Sequence, residues 1–199
     1  MSDDDTKKDL IQVINNHIYF YSDINEYSTV QLIKIINELN VSKIKIHKSL
    51  DNTYIYDTND DTDSKYILYL HINSNGGNFL DGLAIFDCIR LSKKDIYVIV
   101  EGHASSMASI ILLAGKKRFI TKNSYILIHE LRTFFKDTMM TYSNVTDEYL
   151  NTKKFMIRVK KLYKSNTTIS SIKLNDLLKK DLYLTAKKAL KLGFVNKII

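Results

Sequence analysis

The chain has 199 residues, 45% hydrophobic and 26% charged, the composition of one globular domain able to bury a core. No run of about 18 apolar residues exists, so no membrane span is expected. The acidic start Met1-Ser2-Asp3-Asp4-Asp5 is unlike a secretory or transit signal, and the single Cys88 excludes an internal disulfide framework; a cytoplasmic, reducing location is the expectation.

Proline and tryptophan are absent, a bias of the kind an AT-rich genome leaves. The formal charge is +7, unevenly spread: residues 1–63 carry 6 basic and 12 acidic groups, residues 64–199 carry 23 and 10. No aromatic–basic RNA motif accompanies the lysines, so a solvated lysine-rich surface is favoured over nucleic-acid binding.

Residues 1–15 read as a polar N-terminal tail and 16–199 as one domain. His17 to Tyr21 reads as a strand. From Tyr27 to Leu39 a helix is expected, with Val30, Ile33, Ile36 and Leu39 on its apolar face. Residues 52–64, dense in Asp, Asn and Thr, read as an acidic surface insertion. Tyr66 to Ile72 is a nearly continuous apolar run, as a strand buried on both faces would be. A helix from about Asp81 to Arg90 follows, then a strand from Ile96 to Val100 closed by Gly102, a helix from about Ser106 to Ala114 and a strand from Tyr125 to Ile128. This alternation predicts an α/β fold with right-handed crossovers.

A long helix is predicted from Asn144 to about Ser165, with Val145, Tyr149, Met156, Val159 and Tyr163 on one face for core or subunit contact. Ile172 to Lys179 reads as a short helix, Leu182 to Leu184 as extended, Ala186 to Leu192 as a helix capped by Thr185 and closed by Gly193, and Phe194 to Ile199 as a strand.

Five of the six glycines lie between residues 76 and 115, which concentrates permissive backbone at two expected strand ends, Gly76-Gly77 and Gly102. Strand ends of parallel sheets are where ligands bind. The segment Gly102-His103-Ala104-Ser105-Ser106-Met107-Ala108 leaves a strand and opens a helix. A serine there can present its hydroxyl beside unpaired N–H groups able to hold an oxyanion, or Ser105 or Ser106 is simply an N-cap. His129, also at an expected strand end, can take a proton from such a serine. His17 and His47 lie outside the glycine-rich region, His71 reads as a satisfied, partly buried residue, and His103 as a pocket-lining one. For a third, orienting carboxylate, spacing leaves Asp137, Asp147, Asp176 and Asp181 open.

The ordered blocks Ile72 to Gly77, Gly82 to Asp87, Gly102 to Ala108, Ala114 to Arg118 and Ile126 to His129 resemble the proteolytic subunit of Clp protease, and so does Lys180 to Ala189 followed by Leu192 to Val195. The resemblance covers residues 16–199 and implies a crotonase-like α/β fold, a spiral of β-β-α units with a protruding long helix. It implies a serine-type endopeptidase with Ser106 as nucleophile, His129 as base and Asp181 as the residue that orients it. The same resemblance implies that Gly77 and Met107 supply the oxyanion-hole amides, and it implies no cofactor or metal. Unfolded polypeptides or peptides are the implied substrates, a homo-oligomeric ring the implied assembly, and an AAA+ ATPase a possible partner. The compactness and compositional bias are closer to divergent versions carried by phages and large viruses than to the bacterial housekeeping enzyme.

The sequence departs from the family pattern in three places. Asn75 and Glu130-Leu131 stand where Pro and Gln-Pro are usual, and Arg132 to Asp137 replaces a glycine-rich strand that binds substrate and joins two rings. The chain begins about 16 residues before its first expected strand, so the axial loops that engage an ATPase are expected to be reduced. The changed strand also leaves open a regulatory subunit that kept the fold without effective peptidase activity. An acyl-CoA enzyme of the wider crotonase class shares the fold but usually lacks a serine triad.

Overall fold

The computed structural model describes residues 11–41, 67–132 and 139–199 in full, and the backbone of 45–48 and 54–57. The first hairpin pairs β1 (Ile11–Ile14) with β2 (His17–Phe20), antiparallel, around a turn in which Asn15 takes φ 57. Strand β1 falls inside the stretch read as a polar tail: Ile11 and Val13 are half-buried against the core while Gln12 and Ile14 are exposed, so pairing begins six residues before the strand expected at His17.

Helix α1 (Glu26–Val41) starts where Asn25 and Ser28 bond each other reciprocally, Ser28 N–H to Asn25 Oδ1 at 2.9 Å and Asn25 N–H to Ser28 Oγ at 3.0 Å. That cap turns Ser28, Leu32, Ile36 and Leu39 inward and leaves Val30 58% exposed, so the buried face is rotated from the one expected. Strands β3 (Lys45–Lys48) and β4 (Tyr54–Asp57) pair antiparallel as a separate two-stranded sheet. Of the expected 52–64 insertion, residues 54–57 are therefore strand, and the remainder lies outside the described residues.

The central sheet is built from β5 (Leu68–Ser74), β6 (Ile96–Ser105) and β7 (Lys117–Ile120), all parallel, with β2 beside β5 and β10 (Lys197–Ile198) beside β7. Leu68, Leu70 and Ile72 of β5 and Ile96, Val98 and Val100 of β6 are buried on one side of it. Helices α2 (Phe79–Leu91) and α3 (Met107–Leu112) pack together there, where a Cβ on Gly82 would stand 2.5 Å from Met107 Cε. Helix α2 begins two residues earlier than expected because the Asn78 side chain accepts from the N–H groups of Leu80 and Asp81.

Strand β6 does not close at Gly102. It kinks there, with φ 78, and runs on to Ser105, because the Asn73 side chain occupies the place where a Cβ would project, 2.8 Å away. Its first half pairs β5 and β7; its second half, His103 to Ser105, pairs β8 (Tyr125–Leu127). The long helix α4 (Tyr142–Asn166) is capped by Thr141 and Asn144. Val159, Leu162 and Tyr163 near its C-terminus are buried, whereas Val145 and Tyr149 are 50% and 64% exposed, so only part of the expected face meets the body. The chain closes with α5 (Ser171–Leu178), β9 (Tyr183–Thr185), α6 (Ala186–Lys191) and β10, the last only two residues of the strand expected over 194–199.

Candidate active site

Strands β6 and β8 end side by side. Ser105 pairs with Leu127, and the Ser106 N–H bonds the Leu127 carbonyl at 2.8 Å. Ser106 is one residue past the end of β6 and His129 two past the end of β8, so the pairing delivers both residues to one edge of the sheet. At Ser106 the backbone turns from strand to helix with φ 53 and ψ −124, an arrangement L-residues avoid. Strain of that kind costs about 1–3 kcal/mol, persists only where the surroundings enforce it, and clusters at functional sites. A strand–turn–helix elbow of this form is an arrangement that can present a hydroxyl as a nucleophile. Ser106 caps nothing: its side chain makes no hydrogen bond to the helix. Ser105 is 4% exposed with its hydroxyl buried and unpartnered, which removes it as an accessible nucleophile.

The Gly76-Gly77 turn lies against this elbow. A Cβ on Gly76 would stand 2.7 Å from Ser106 Cβ and 2.9 Å from the Met107 nitrogen, and Gly76 has φ +94. Ile24 clamps the turn from the far side, donating from its N–H to the Gly76 carbonyl at 2.7 Å and accepting from the Asn78 N–H at 2.8 Å. That parallel bridge directs the Gly77 N–H away from Ile24. Met107 is the first residue of α3, so its N–H has no acceptor within the helix. Two backbone donors therefore flank Ser106.

His129 Nδ1 lies 2.5 Å from the Glu130 carbonyl. A carbonyl only accepts, so Nδ1 carries the proton in this contact, and in the neutral ring Nε2 keeps its lone pair. The segment is anchored on two helices, Glu130 N–H on the Leu178 carbonyl at 2.9 Å and Leu131 N–H on Met156 Sδ at 3.3 Å.

Asp181 follows α5. Strands β8 and β9 are antiparallel with Ile126 opposite Leu184 and Leu127 opposite Tyr183; continued by two residues, that register sets Asp181 across from His129. The carboxylate itself is paired with Arg132, Nη2 to Oδ2 at 2.5 Å, and both side chains are largely exposed. Asp176 is engaged by Lys180 and Lys173, whose hydrogen bonds hold its carboxyl below the usual range. Asp147 is exposed on α4, and Asp137 lies outside the described residues, as do all but Arg132 of the altered stretch 132–137. The Gly76-Gly77 turn and Met107 thus lie beside Ser106, His129 follows the neighbouring paired strand end, and Asp181 is paired with Arg132.

The sequence reading missed a second polar cluster. His17 Nδ1 meets His71 Nε2 at 2.8 Å, His71 Nδ1 meets Glu101 Oε1 at 2.8 Å, and the Tyr21 hydroxyl donates to Glu101 Oε2. His71, expected to be satisfied and partly buried, is 6% exposed in this chain of bonds. Burial favours the neutral Glu101, yet the bonds from Tyr21 and His71 outweigh it and lower its pKa. Burial and then the neighbouring His71 lower that of His17, and burial with the Glu101 contact raises that of Tyr21. The signal was present in polar residues at alternating positions of otherwise apolar strands.

Among the described residues no cluster of three or more His, Cys, Asp or Glu could hold a metal, and no helix is long and apolar enough to cross a membrane. A family model for Clp protease matches residues 16–199. The chain is 32% identical over 141 residues to the ATP-dependent Clp protease proteolytic subunit of Carsonella ruddii (strain PV), covering 70% of this chain and 71% of that protein. It is 34% identical over 138 residues to ATP-dependent Clp protease proteolytic subunit 1 of Leifsonia xyli subsp. xyli (strain CTCB07), covering 68% of each. The crotonase-like α/β architecture expected from the sequence is that family's fold. A chain matched from its second strand to its last residue, with relatives of that identity, belongs to the Clp protease family and is a peptidase.

Proposed function

We propose that the chain is a serine endopeptidase acting through an acyl-enzyme on Ser106. The observation that carries this reading is the strained Ser106 elbow, with φ 53, held by the Leu127 carbonyl beside the strand end that bears His129. Ser106 Oγ attacks the peptide carbonyl while its proton passes to His129 Nε2, whose lone pair is free because Nδ1 holds the other proton. The carbonyl oxygen becomes an oxyanion and is met by the N–H groups of Gly77 and Met107. The C–N bond breaks as His129 returns its proton to the leaving amine. Water, deprotonated by His129, then hydrolyses the Ser106 ester and restores the hydroxyl. Asp181 supports the imidazolium once its carboxylate turns from Arg132 to Nδ1.

The assembly in this reading is a homo-oligomeric ring with the active sites facing an inner chamber. Tyr142, Val145, Tyr149, Leu150 and Ile157 of α4 are 45–87% exposed, more apolar surface than an isolated helix keeps in water. Both relatives are named ATP-dependent, which supports an AAA+ ATPase delivering unfolded polypeptide. A cytoplasmic location accompanies this reading.

The test is labelling with a fluorophosphonate probe. The wild-type chain is expected to take one label, and Ser106→Ala none. Equal labelling of the two proteins would overturn the assignment. Sedimentation of a 23.1 kDa species at micromolar concentration would overturn the ring.

A further inference from the structure

Three consecutive side chains tie down the turn that carries Gly77, each to a different group. Asn73 Oδ1 accepts from the His103 N–H at 3.3 Å, and Ser74 Oγ accepts from the Gly76 N–H at 3.1 Å. Asn75 spans outward in two directions. Its Nδ2 donates to Asp23 Oδ1 at 3.0 Å, and its Oδ1 faces His103 Nε2 at 3.1 Å. Since the amide oxygen only accepts, His103 Nε2 carries the proton in this contact. The amide thus bridges the segment after β2 to the distal half of β6, the two elements that hold the turn from opposite sides. Asp23 directly precedes Ile24, whose backbone clamps Gly76 and Asn78, and His103 lies three residues before Ser106.

We propose that Asn75 is a positioning residue for the oxyanion hole: the Asp23–Asn75–His103 bridge fixes the Gly76-Gly77 turn against Ser106. The proposal rests on the reading of Gly77 and Met107 as the oxyanion donors. The contact between Gly76 and the elbow leaves no slack, since a Cβ there would already overlap Ser105 O at 2.6 Å. Movement of the turn therefore moves the Gly77 N–H relative to Ser106. Such a donor is strongest when it is fixed at the place where charge develops. A loosened donor costs transition-state stabilisation and leaves ground-state binding of the peptide intact, so the effect falls on kcat and spares KM.

Peptide hydrolysis and amide hydrogen exchange are measured on the full chain for the wild type, Asn75→Ala, His103→Ala, the double variant and His103→Gln. The two single alanine variants are expected to lose about tenfold in kcat with KM within about twofold, and the double variant no more than either, because both break one bridge. Exchange at Gly76 to Asn78 speeds up in the same variants. His103→Gln, which restores an N–H donor of similar reach, recovers most of the loss. An unchanged kcat, a loss confined to KM, or additive losses would overturn the proposal. Exchange reads the bridge without activity: an inactive wild type with a loosened turn in Asn75→Ala refutes the peptidase reading alone, whereas unchanged exchange refutes the bridge. If Asn75→Ala does not fold, the two His103 variants give the same decision.

Discussion

The Asp181 carboxylate is paired with Arg132, although the β8–β9 register, if continued two residues past both strands, would set it opposite His129. His129 meanwhile rests its Nδ1 proton on the Glu130 carbonyl. In the proposed mechanism, the two contacts keep the tautomer His129 needs and withhold the negative charge that would stabilise its imidazolium. Both partners of the Arg132 pair are more than half exposed, so the pair is worth about 0–1 kcal/mol. Removing it with Arg132→Ala is expected to raise kcat by up to about fivefold. A fall of tenfold or more in steady-state hydrolysis would show that Arg132 serves the reaction directly.

Asp181→Asn is expected to lower kcat by several powers of ten, since asparagine of the same size offers no charge to the imidazolium; the loss in the Ser-His-Asp precedent is about 10⁴. Asp176→Asn, which breaks only lysine pairs on α5, should leave kcat within about twofold. Measured side by side, a damaging Asp176 change with a harmless Asp181 change would refute the third triad member. A loss of less than tenfold in Asp181→Asn would mean that the Glu130 carbonyl suffices and the site works as a dyad.

The elbow strain is measurable as stability. Ser106→Gly removes the Cβ from a backbone held at φ 53, and the protein should unfold about 1 kcal/mol harder than Ser106→Ala, read as a shift of the urea midpoint. Ser105→Ala deletes a hydroxyl that has no partner, so stability should stay within about 0.5 kcal/mol and fluorophosphonate labelling should persist. Lost labelling in Ser105→Ala together with retained labelling in Ser106→Ala would exchange the two roles.

The His17–His71–Glu101 cluster predicts acid sensitivity. His17 has a folded pKa below its ordinary 6.5, so the unfolded chain binds the proton more readily; its contribution is full above 6.5 and is lost as pH falls toward the folded value. Glu101, also lowered, keeps its contribution above its ordinary 4.5 and loses it as pH falls through the folded value. Urea unfolding midpoints should therefore decline from pH 7 downward in two stages. His17→Gln should flatten the upper stage and leave the lower. An unaltered upper stage would assign it to another group.

Arg118 reaches the Asn166 carbonyl at the end of α4 with Nη1 at 2.7 Å and the Gly193 carbonyl after α6 with Nη2 at 3.3 Å. Burial, and then the charge of Arg90, lower its pKa, so it is held in place without a carboxylate partner among those bonds. Arg118→Met is expected to cost about 2–4 kcal/mol in urea denaturation, and Arg118→Lys nearly as much, because an ammonium cannot span both carbonyls as a planar fork does. A cost below 1 kcal/mol for both would show that the guanidinium is dispensable.

Much of this architecture is legible in the sequence. Apolar runs such as Leu68 to Ile72 marked the buried strands, and the crowding of glycines near residues 76 and 102 marked the site. Single-residue signals were weaker where a side chain overrode the pattern. The Asn25–Ser28 cap rotated α1, and the Asn73 side chain beneath Gly102 let β6 continue past the glycine. Asp181 could not be chosen among four carboxylates from spacing, because its opposition to His129 arises only when two distant strands pair antiparallel. The His17–His71–Glu101 chain was legible only as polar residues within apolar strands; the bonds between its members arise when three separate strands pair.

The parallel strands give α1, α2 and α3 a common direction. All three begin at the site end, at Glu26, Phe79 and Met107. Their positive ends converge on the edge where an oxyanion would form, so the scaffold contributes a field there beyond the two amides. The opposite pole collects helix C-termini: the ends of α2, α3, α4 and α6 border one cavity of about 670 Å³, with Arg90, Lys94, Lys116 and Arg118 around it, and Arg118 donates to the Asn166 and Gly193 carbonyls there. Those cations face the negative helix ends, at the end of β6 away from Ser106. A mutation that weakens them is expected to surface first as a folding defect, at the end of the sheet away from Ser106.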